Sequence, residues 1–376
     1  MNIIQAFEEN GALLVQWENG QSSRFSFFWL RDHAMDSKSF DSRSQQREVP
    51  SFKLDLDLVA DQIKVATDGR SLSLYWQDIQ DWSGYSADFL YGFHVPSRCL
   101  AQWTPSPWDQ SEISRREVVM DWSEFNDQGG QEQLICGLLR DGFVKMEHCP
   151  KNFDTVQALA DAVGYVRHTI FGGLWEFEAN EGMADSAYTP RSLAPHTDGT
   201  YSHDAPGVQI LACWHYKAEG GSSVLVDGAK IAVRMAVEAP DSYKLLTELD
   251  IPCRYAGDGV ELIAERPVFR LNSKGELLQV SYNHADRAPF RLEDEKMVQF
   301  YQAIRLFHEL ATDETMLWKH VLQPGELIIF DNWRLLHARD AFRGERKMAG
   351  CYLNHEDLES IARKFGHSPG IQLGNF

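Results

Sequence analysis

Positive charge is scarce in this chain: 36 Lys and Arg face 55 Asp and Glu over 376 residues, a formal net charge of −19. A nucleic acid or an anionic membrane needs a concentrated basic face, so neither is expected as a partner. The excess acidity is compatible with attracting a cationic substrate, although a charge this diffuse mostly serves solubility. No run approaches eighteen uninterrupted apolar residues, so no membrane helix is expected. The start, Met1-Asn2-Ile3-Ile4-Gln5, has neither the basic region and long apolar stretch of a signal peptide nor an Arg-rich, acid-poor presequence. A cytoplasmic protein is the expectation. The cysteines (Cys99, Cys136, Cys149, Cys213, Cys253 and Cys351) form no Cys-x-x-Cys pair, which predicts buried free thiols in a reducing compartment.

What is present is ordinary globular composition, 43% hydrophobic and 24% charged, on a chain long enough for two domains. Residues 1–103 carry short alternating runs such as Ser71-Leu72-Ser73-Leu74-Tyr75-Trp76, with turns such as Asn19-Gly20 and Asp68-Gly69, and read as a small antiparallel β domain. Residues 104–117, opening Thr104-Pro105-Ser106-Pro107, read as a linker, and 118–376 as a second, larger domain. There the pattern predicts helices over 123–140, 153–163, 230–239 and 293–310, with strands over 142–146, 207–216 and 220–226. In the last helix Met297, Phe300, Tyr301, Ile304 and Phe307 fall on one face expected to be buried. The fold class is therefore mostly β with packed helices.

The chemistry gathers at His196-Thr197-Asp198 and at His337, the last residue of Asp331-Asn332-Trp333-Arg334-Leu335-Leu336-His337. Two imidazoles and a carboxylate are the ligand set of a non-haem Fe(II) oxygenase, which leaves half an octahedron open. Residues two apart on a strand share a face, so His196 and Asp198 leave one strand end on the same side. Taken bare, a His-x-Asp with a later His is a weak signal in a chain with thirteen histidines. Its setting strengthens it. Pro324-Gly325 turns into an apolar run before His337, and Arg346 follows nine residues beyond it, suited to a bidentate clamp on a dicarboxylate co-substrate. By residue type alone, Arg346 would be a surface charge in the basic stretch 343–347.

These residues, together with Gly220-Gly221-Ser222-Ser223-Val224-Leu225-Val226-Asp227-Gly228, resemble the γ-butyrobetaine hydroxylase and trimethyllysine dioxygenase family. Ala187-Tyr188-Thr189, Gly199-Thr200-Tyr201 and Gly350-Cys351-Tyr352-Leu353 stand closest to the trimethyllysine branch. The resemblance implies a double-stranded β-helix (jelly-roll) catalytic domain behind a small N-terminal β domain, with Fe(II), 2-oxoglutarate and O2 as reaction partners. Iron would sit on His196, Asp198 and His337, and 2-oxoglutarate on Arg346 and, more weakly, Ser223. The products would be succinate, CO2 and a hydroxylated substrate. Relatives hold a zinc on cysteines after Trp29-Leu30-Arg31-Asp32; here His33-Ala34-Met35 follows with no cysteine, so no N-terminal zinc is expected and His33 reads as a polar loop residue.

The resemblance also implies an aromatic box for a trimethylammonium group at Phe171, Trp175, Tyr188 and Tyr352. Phe171 and Trp175, four apart, would meet on a helical turn. A quaternary ammonium donates no hydrogen bond, so ring faces are its natural partners. Any one of these aromatics alone would be core. Asp185 would add charge for the cation, while Asn283 and Arg287 are placed to hold a carboxylate or phosphonate, with His284 a possible amide substitute. A small zwitterionic trimethylammonium substrate and a homodimer follow from the same family. Three substrates fit: γ-butyrobetaine, trimethyllysine and 2-(trimethylamino)ethylphosphonate. The motifs favour the second, and the bacterial look of a chain without presequence or zinc cysteines favours the third, which is the expectation taken here. The alternatives are a non-catalytic trimethylammonium binder, which would not need the triad with Arg346, a hydrolase built on His203-Asp204, and a structural jelly roll.

Overall fold

A computed structural model describes residues 1–94, 105–126, 128–178, 190–257 and 259–367. The chain divides into two compact units at Gln102/Trp103. In the first, β1 (Ile3–Glu9), β2 (Ala12–Trp17) and β3 (Ser22–Ser26) make one antiparallel sheet, β4 (Phe40–Asp41) and β5 (Gln46–Arg47) a short ladder, and β6 (Gln62–Val65), β7 (Ser71–Trp76) and β8 (Asp81–Ser86) a second sheet. Asn10 and Gly11 both take positive φ between the paired Glu9 and Ala12, as a two-residue hairpin turn demands. Alternation does the rest. Leu72, Leu74 and Trp76 of β7 join Leu13, Val15 and Trp17 of β2 in one apolar core. His33 lies in the turn that caps the helix Phe27–Asp32, its Nδ1 2.8 Å from the Trp29 carbonyl and its ring stacked on Trp29.

The second unit contains β9 (Val119–Asp121), β10 (Phe143–Glu147), β11 (Trp175–Glu178), β12 (Leu193–His196), β13 (Val208–Gly220) and β14 (Ser223–Asp227). Two hairpins follow, β15 (Ile251–Gly257) with β16 (Val260–Arg266) and β17 (Phe269–Leu271) with β18 (Leu277–Val280). Then come β19 (Leu317–His320), β20 (Leu327–Asp331), β21 (Leu335–Arg339) and β22 (Phe342–Leu353). They build a six-stranded sheet, β11-β22-β13-β20-β10-β9, and a four-stranded one, β12-β21-β14-β19.

Period-two alternation shows how the sheets pack. Ile328 and Phe330 of β20 meet Phe143 and Met348 of the larger sheet and Leu225 and Leu335 of the smaller in one cluster, so the sheets lie face to face. Leu327 and Ile329 point the other way, under the helices Gln128–Asp141, Phe153–Val163 and His355–Lys364. Val224 and Val226 likewise turn outward, under Gly228–Glu238, Pro240–Glu248 and Asp294–Thr312. This is the jelly roll, with both faces of its central strands buried, which is why those strands read as continuous apolar runs.

Three expectations need correction. Residues 105–117 are no solvated linker: Trp108 is fully buried in the second unit, its backbone N–H bonded to the Asp227 carboxylate and its indole N–H to the Asp141 carbonyl. The helix expected over 123–140 is instead the turn Trp122–Asn126 and the helix Gln128–Asp141, where a Cβ on Gly130 would lie 1.8 Å from the Glu124 carbonyl oxygen. Tyr301 is 47% exposed, while Phe300 and Phe307 carry the buried face. The five described cysteines are unpaired and buried, except the partly exposed Cys136; Cys99 lies outside the described residues. Among the described residues, no helix is long and apolar enough to cross a membrane.

Candidate active site

Strand register assembles the centre. β12 and β21 pair antiparallel with His196 directly opposite His337, and their rings lie 4.2 Å apart between centroids. Asp198 follows in the turn beyond β12, with Oδ1 3.4 Å from His196 Nε2 and Oδ2 3.5 Å from His337 Nε2. One ligand atom from each residue lies within 4.8 Å of the other two, and this is the one such group among the described residues. Gly199 shapes the turn: it has φ +72°, and a Cβ there would lie 2.4 Å from Pro206 Cδ.

The surroundings fix each ligand. His196 Nδ1 lies 2.8 Å from the Ala194 carbonyl and donates to it, which leaves Nε2 with the lone pair a metal requires. Burial, and then the neighbouring His196, lower the His337 pKa to about 4, so this imidazole is neutral and able to ligate. Burial opposes ionisation of Asp198, but His337, His196 and the Tyr352 hydroxyl outweigh it and hold the carboxyl well below the usual range. That hydroxyl donates to Asp198 Oδ2 at 2.8 Å. Asn332 clamps the backbone: its Oδ1 accepts from Asp198 N–H at 2.8 Å, and its Nδ2 donates to the Asp198 and Pro206 carbonyls. Two neutral-capable imidazoles and a carboxylate held ionised fit a divalent iron ion.

The triad opens into a cavity of about 370 Å³, the size of a small-molecule site. Arg346, 5% exposed on β22, lines it, so the surface-charge reading by residue type does not hold. Ser223 also lines it, as the first residue of β14 rather than part of the turn, paired with Arg339 of β21. Gly221 has φ +73°, and a Cβ there would lie 3.1 Å from Phe342 Cβ, so backbone and space both favour glycine beside Arg346. Arg339 is buried beside them. Burial, and then the charge of Arg346, push its pKa down to about 10, and both guanidinium groups lie over the Phe342 ring. Its spacing two beyond His337, on the same strand face, was the available signal, and residue-type reading passed over it.

An aromatic wall forms the second side. Trp175 on β11 pairs with Gly350 of β22, where a Cβ would lie 2.6 Å from the indole, so glycine leaves room for the ring. Its ring is 5.8 Å from Tyr352 and 5.5 Å from Phe177, and Phe171 is 6.5 Å from Tyr352. Phe171 and Trp175 meet across Tyr352 from a turn and a strand, not along a helical turn. Tyr188 and Asp185 lie outside the described residues.

The third side is the loop after β18. Asn283, His284 and Asp286 line the cavity. Asn283 Nδ2 and the Thr200 hydroxyl both donate to Asp286 Oδ2, at 2.9 and 2.7 Å. Arg287 is not brought into the cavity: its guanidinium lies 5.6 and 5.8 Å from the ring centres of Phe300 and Tyr301. His203 and Asp204 are exposed, and Asp204 is paired with Arg167 at 2.7 Å, so they form no second metal site.

Comparison with known proteins agrees with this geometry. Residues 105–352 match the profile of the taurine catabolism dioxygenase TauD, TfdA family, and residues 4–91 that of the γ-butyrobetaine hydroxylase-like N-terminal family. A trimethyllysine dioxygenase of Meyerozyma guilliermondii is 30% identical, over 95% of this chain and 94% of its own. A γ-butyrobetaine dioxygenase of Pseudomonas sp. strain AK-1 is 29% identical, over 92% of this chain and 91% of its own. In fold the chain is similar to the crystal structure of a taurine dioxygenase from Burkholderia xenovorans, with a TM-score of 0.50 and 17% identity over 68% of this chain and 91% of that one.

Proposed function

From the premise that the chain belongs to the TauD/TfdA dioxygenase family and is an Fe(II)- and 2-oxoglutarate-dependent dioxygenase, we propose that it hydroxylates a small trimethylammonium compound. One residue carries the reading. Tyr352 donates its hydroxyl to the iron-ligand carboxylate Asp198, while its ring lies beside Trp175 and Phe171. A quaternary ammonium held on those ring faces brings its neighbouring carbons next to the metal position.

Iron, 2-oxoglutarate and O2 supply the oxidising power to hydroxylate an unactivated carbon, with succinate and CO2 as co-products. The protein supplies position. His196, Asp198 and His337 hold the metal, Asn332 and Tyr352 orient the carboxylate, and Arg346 with Ser223 receives the far carboxylate of 2-oxoglutarate in a pocket where burial strengthens the attraction. Phe171, Trp175 and Tyr352 bind the methylated cation, with Tyr188 and Asp185 assigned to the same group by resemblance. Asn283 remains a candidate for the polar end of the substrate. A non-catalytic binder would need only the aromatic wall and is disfavoured by the converging triad. The cytoplasmic location rests on sequence pattern and the homodimer on resemblance; sedimentation velocity checks the latter.

The test measures succinate formed from 2-oxoglutarate by the Fe(II)-loaded enzyme with a trimethylammonium compound or its neutral isostere, carbon replacing nitrogen. The cation should be favoured by about tenfold or more, at roughly 0.5–2 kcal/mol per ring. Equal stimulation by both would sink the aromatic-cation reading.

A further inference from the structure

Acids outnumber bases by 55 to 36 in this chain, yet Arg266 and Arg287 form no ion pair among the described residues. Arg266, the last residue of β16, is 8% exposed. Its Nη2 donates to the Thr200 carbonyl at 3.4 Å, and its Nη1 is buried with no hydrogen-bond partner among the described residues. Asp204, whose charge reaches it, is held by Arg167 at 2.7 Å, and the positive charge of Arg270 opposes its own. Arg287 has its guanidinium over Phe300 and Tyr301. A guanidinium does not shed its proton at neutral pH, so burying one without a counter-charge is strongly destabilising.

Both arginines line a small cavity of about 20 Å³, beside Phe300 of the helix Asp294–Thr312. Its walls carry no carboxylate among the described residues; Asp286 lines the larger cavity instead. Ser281, 9% exposed, adds a hydroxyl, and Cys253 a thiol that both cations reach. Burial raises that thiol's pKa, and the charges of Arg266 and Arg287 act against the rise. A space this size admits one water-sized occupant. Water balances no charge, and a phosphate, sulfate or organic acid is too large, whereas a monatomic halide matches both size and sign.

We propose that Arg266 and Arg287 form a site for a chloride-sized anion, which ties the end of β16 to the loop after β18 and to the helix Asp294–Thr312. Arg287, turned away from the substrate, thereby gains a counter-charge of its own. Asn283 and His284 line both cavities, so the ion sits directly behind the wall that the substrate meets. The site acts on the stability of that wall and is independent of the substrate's identity.

The test melts the Fe(II)-loaded wild type and Arg266→Met while sodium chloride replaces sodium gluconate at constant ionic strength. Gluconate is too large for the cavity, so general screening is held fixed. The wild-type melting temperature should rise by about 2–4 °C for each tenfold of chloride beyond its dissociation constant. Arg266→Met should rise by less than about 1 °C over the same range, since the buried cation is gone. The variant keeps the iron ligands, so chloride binding at the metal would raise both proteins alike. An equal rise in both overturns the proposal, as does no rise in the wild type. A second measurement needs no variant: wild-type crystals soaked in sodium bromide should show an anomalous peak between Arg266 and Arg287. Absence of that peak overturns the proposal even if Arg266→Met fails to fold.

Discussion

The metal-ligand strands and the loop at 283–287 line one cavity, yet they hold their side chains by different means. On β12 and β21 the backbone ladder does the positioning: once His196 and His337 are opposite each other, their imidazoles face the same way. In the loop, side chains hold one another. Asn283 turns its carbonyl to the Ala285 N–H and its amide to Asp286, and Asp286 in turn takes the Thr200 hydroxyl. A ladder specifies direction through its period of two, whereas a loop specifies it through local hydrogen bonds and the neighbours it meets. Identical residue types therefore carry more information on a strand than in a loop.

The contrast is open to attack by substitution. The largest effect is expected on the strand side: His337→Ala should lower kcat by at least about a thousandfold and abolish tight Fe(II) binding while leaving the far-ultraviolet circular dichroism unchanged. Turnover near that of the wild type would remove the metal assignment. Trp175→Ala on β11 should raise KM for the trimethylammonium substrate by about tenfold and KM for 2-oxoglutarate by less than threefold, since only the ring face is lost. Parallel increases in both would count against separate subsites. The smallest effect belongs to Arg287→Ala. With its guanidinium on Phe300 and Tyr301, it should cost about 0.5–1 kcal/mol of stability and change KM for either substrate by less than about threefold. A large rise in the KM of the organic substrate would return Arg287 to the anion-binding role its sequence position suggested.

That ordering follows what the chain discloses. His196 and His337 could be read because strand parity constrains them, Asp198 because the short His-x-Asp motif names it although it lies in the turn beyond β12 and not on the strand, and Arg346 because it follows His337 on the next strand. Asn332 lies inside the run already singled out, but nothing in its type says that it reaches back to Asp198 and Pro206. Arg287 reads as an anion receptor, and its actual direction depends on the helix Asp294–Thr312 packed beside it. The hairpin of β15 and β16 escaped prediction for a related reason. Ile251, Cys253 and Ala264 are buried while Val260 and Ile263 are 43% and 55% exposed, so apolar residues fall on both faces and blur the alternation. Trp108 was hidden by the company of prolines and polar residues, which resemble a linker until Asp227 and Asp141 are brought to it by the fold.

The direct opposition of His196 and His337 has a consequence for folding. The two imidazoles come from distant parts of the chain, and a slip of a single residue between β12 and β21 would send one of them to the other face. The unfolded chain offers no comparable chelate, so affinity for the metal is a property of correctly paired strands. Binding then draws the equilibrium toward the native register by mass action and penalises every misaligned competitor. The metal centre thus doubles as a register lock on the barrel.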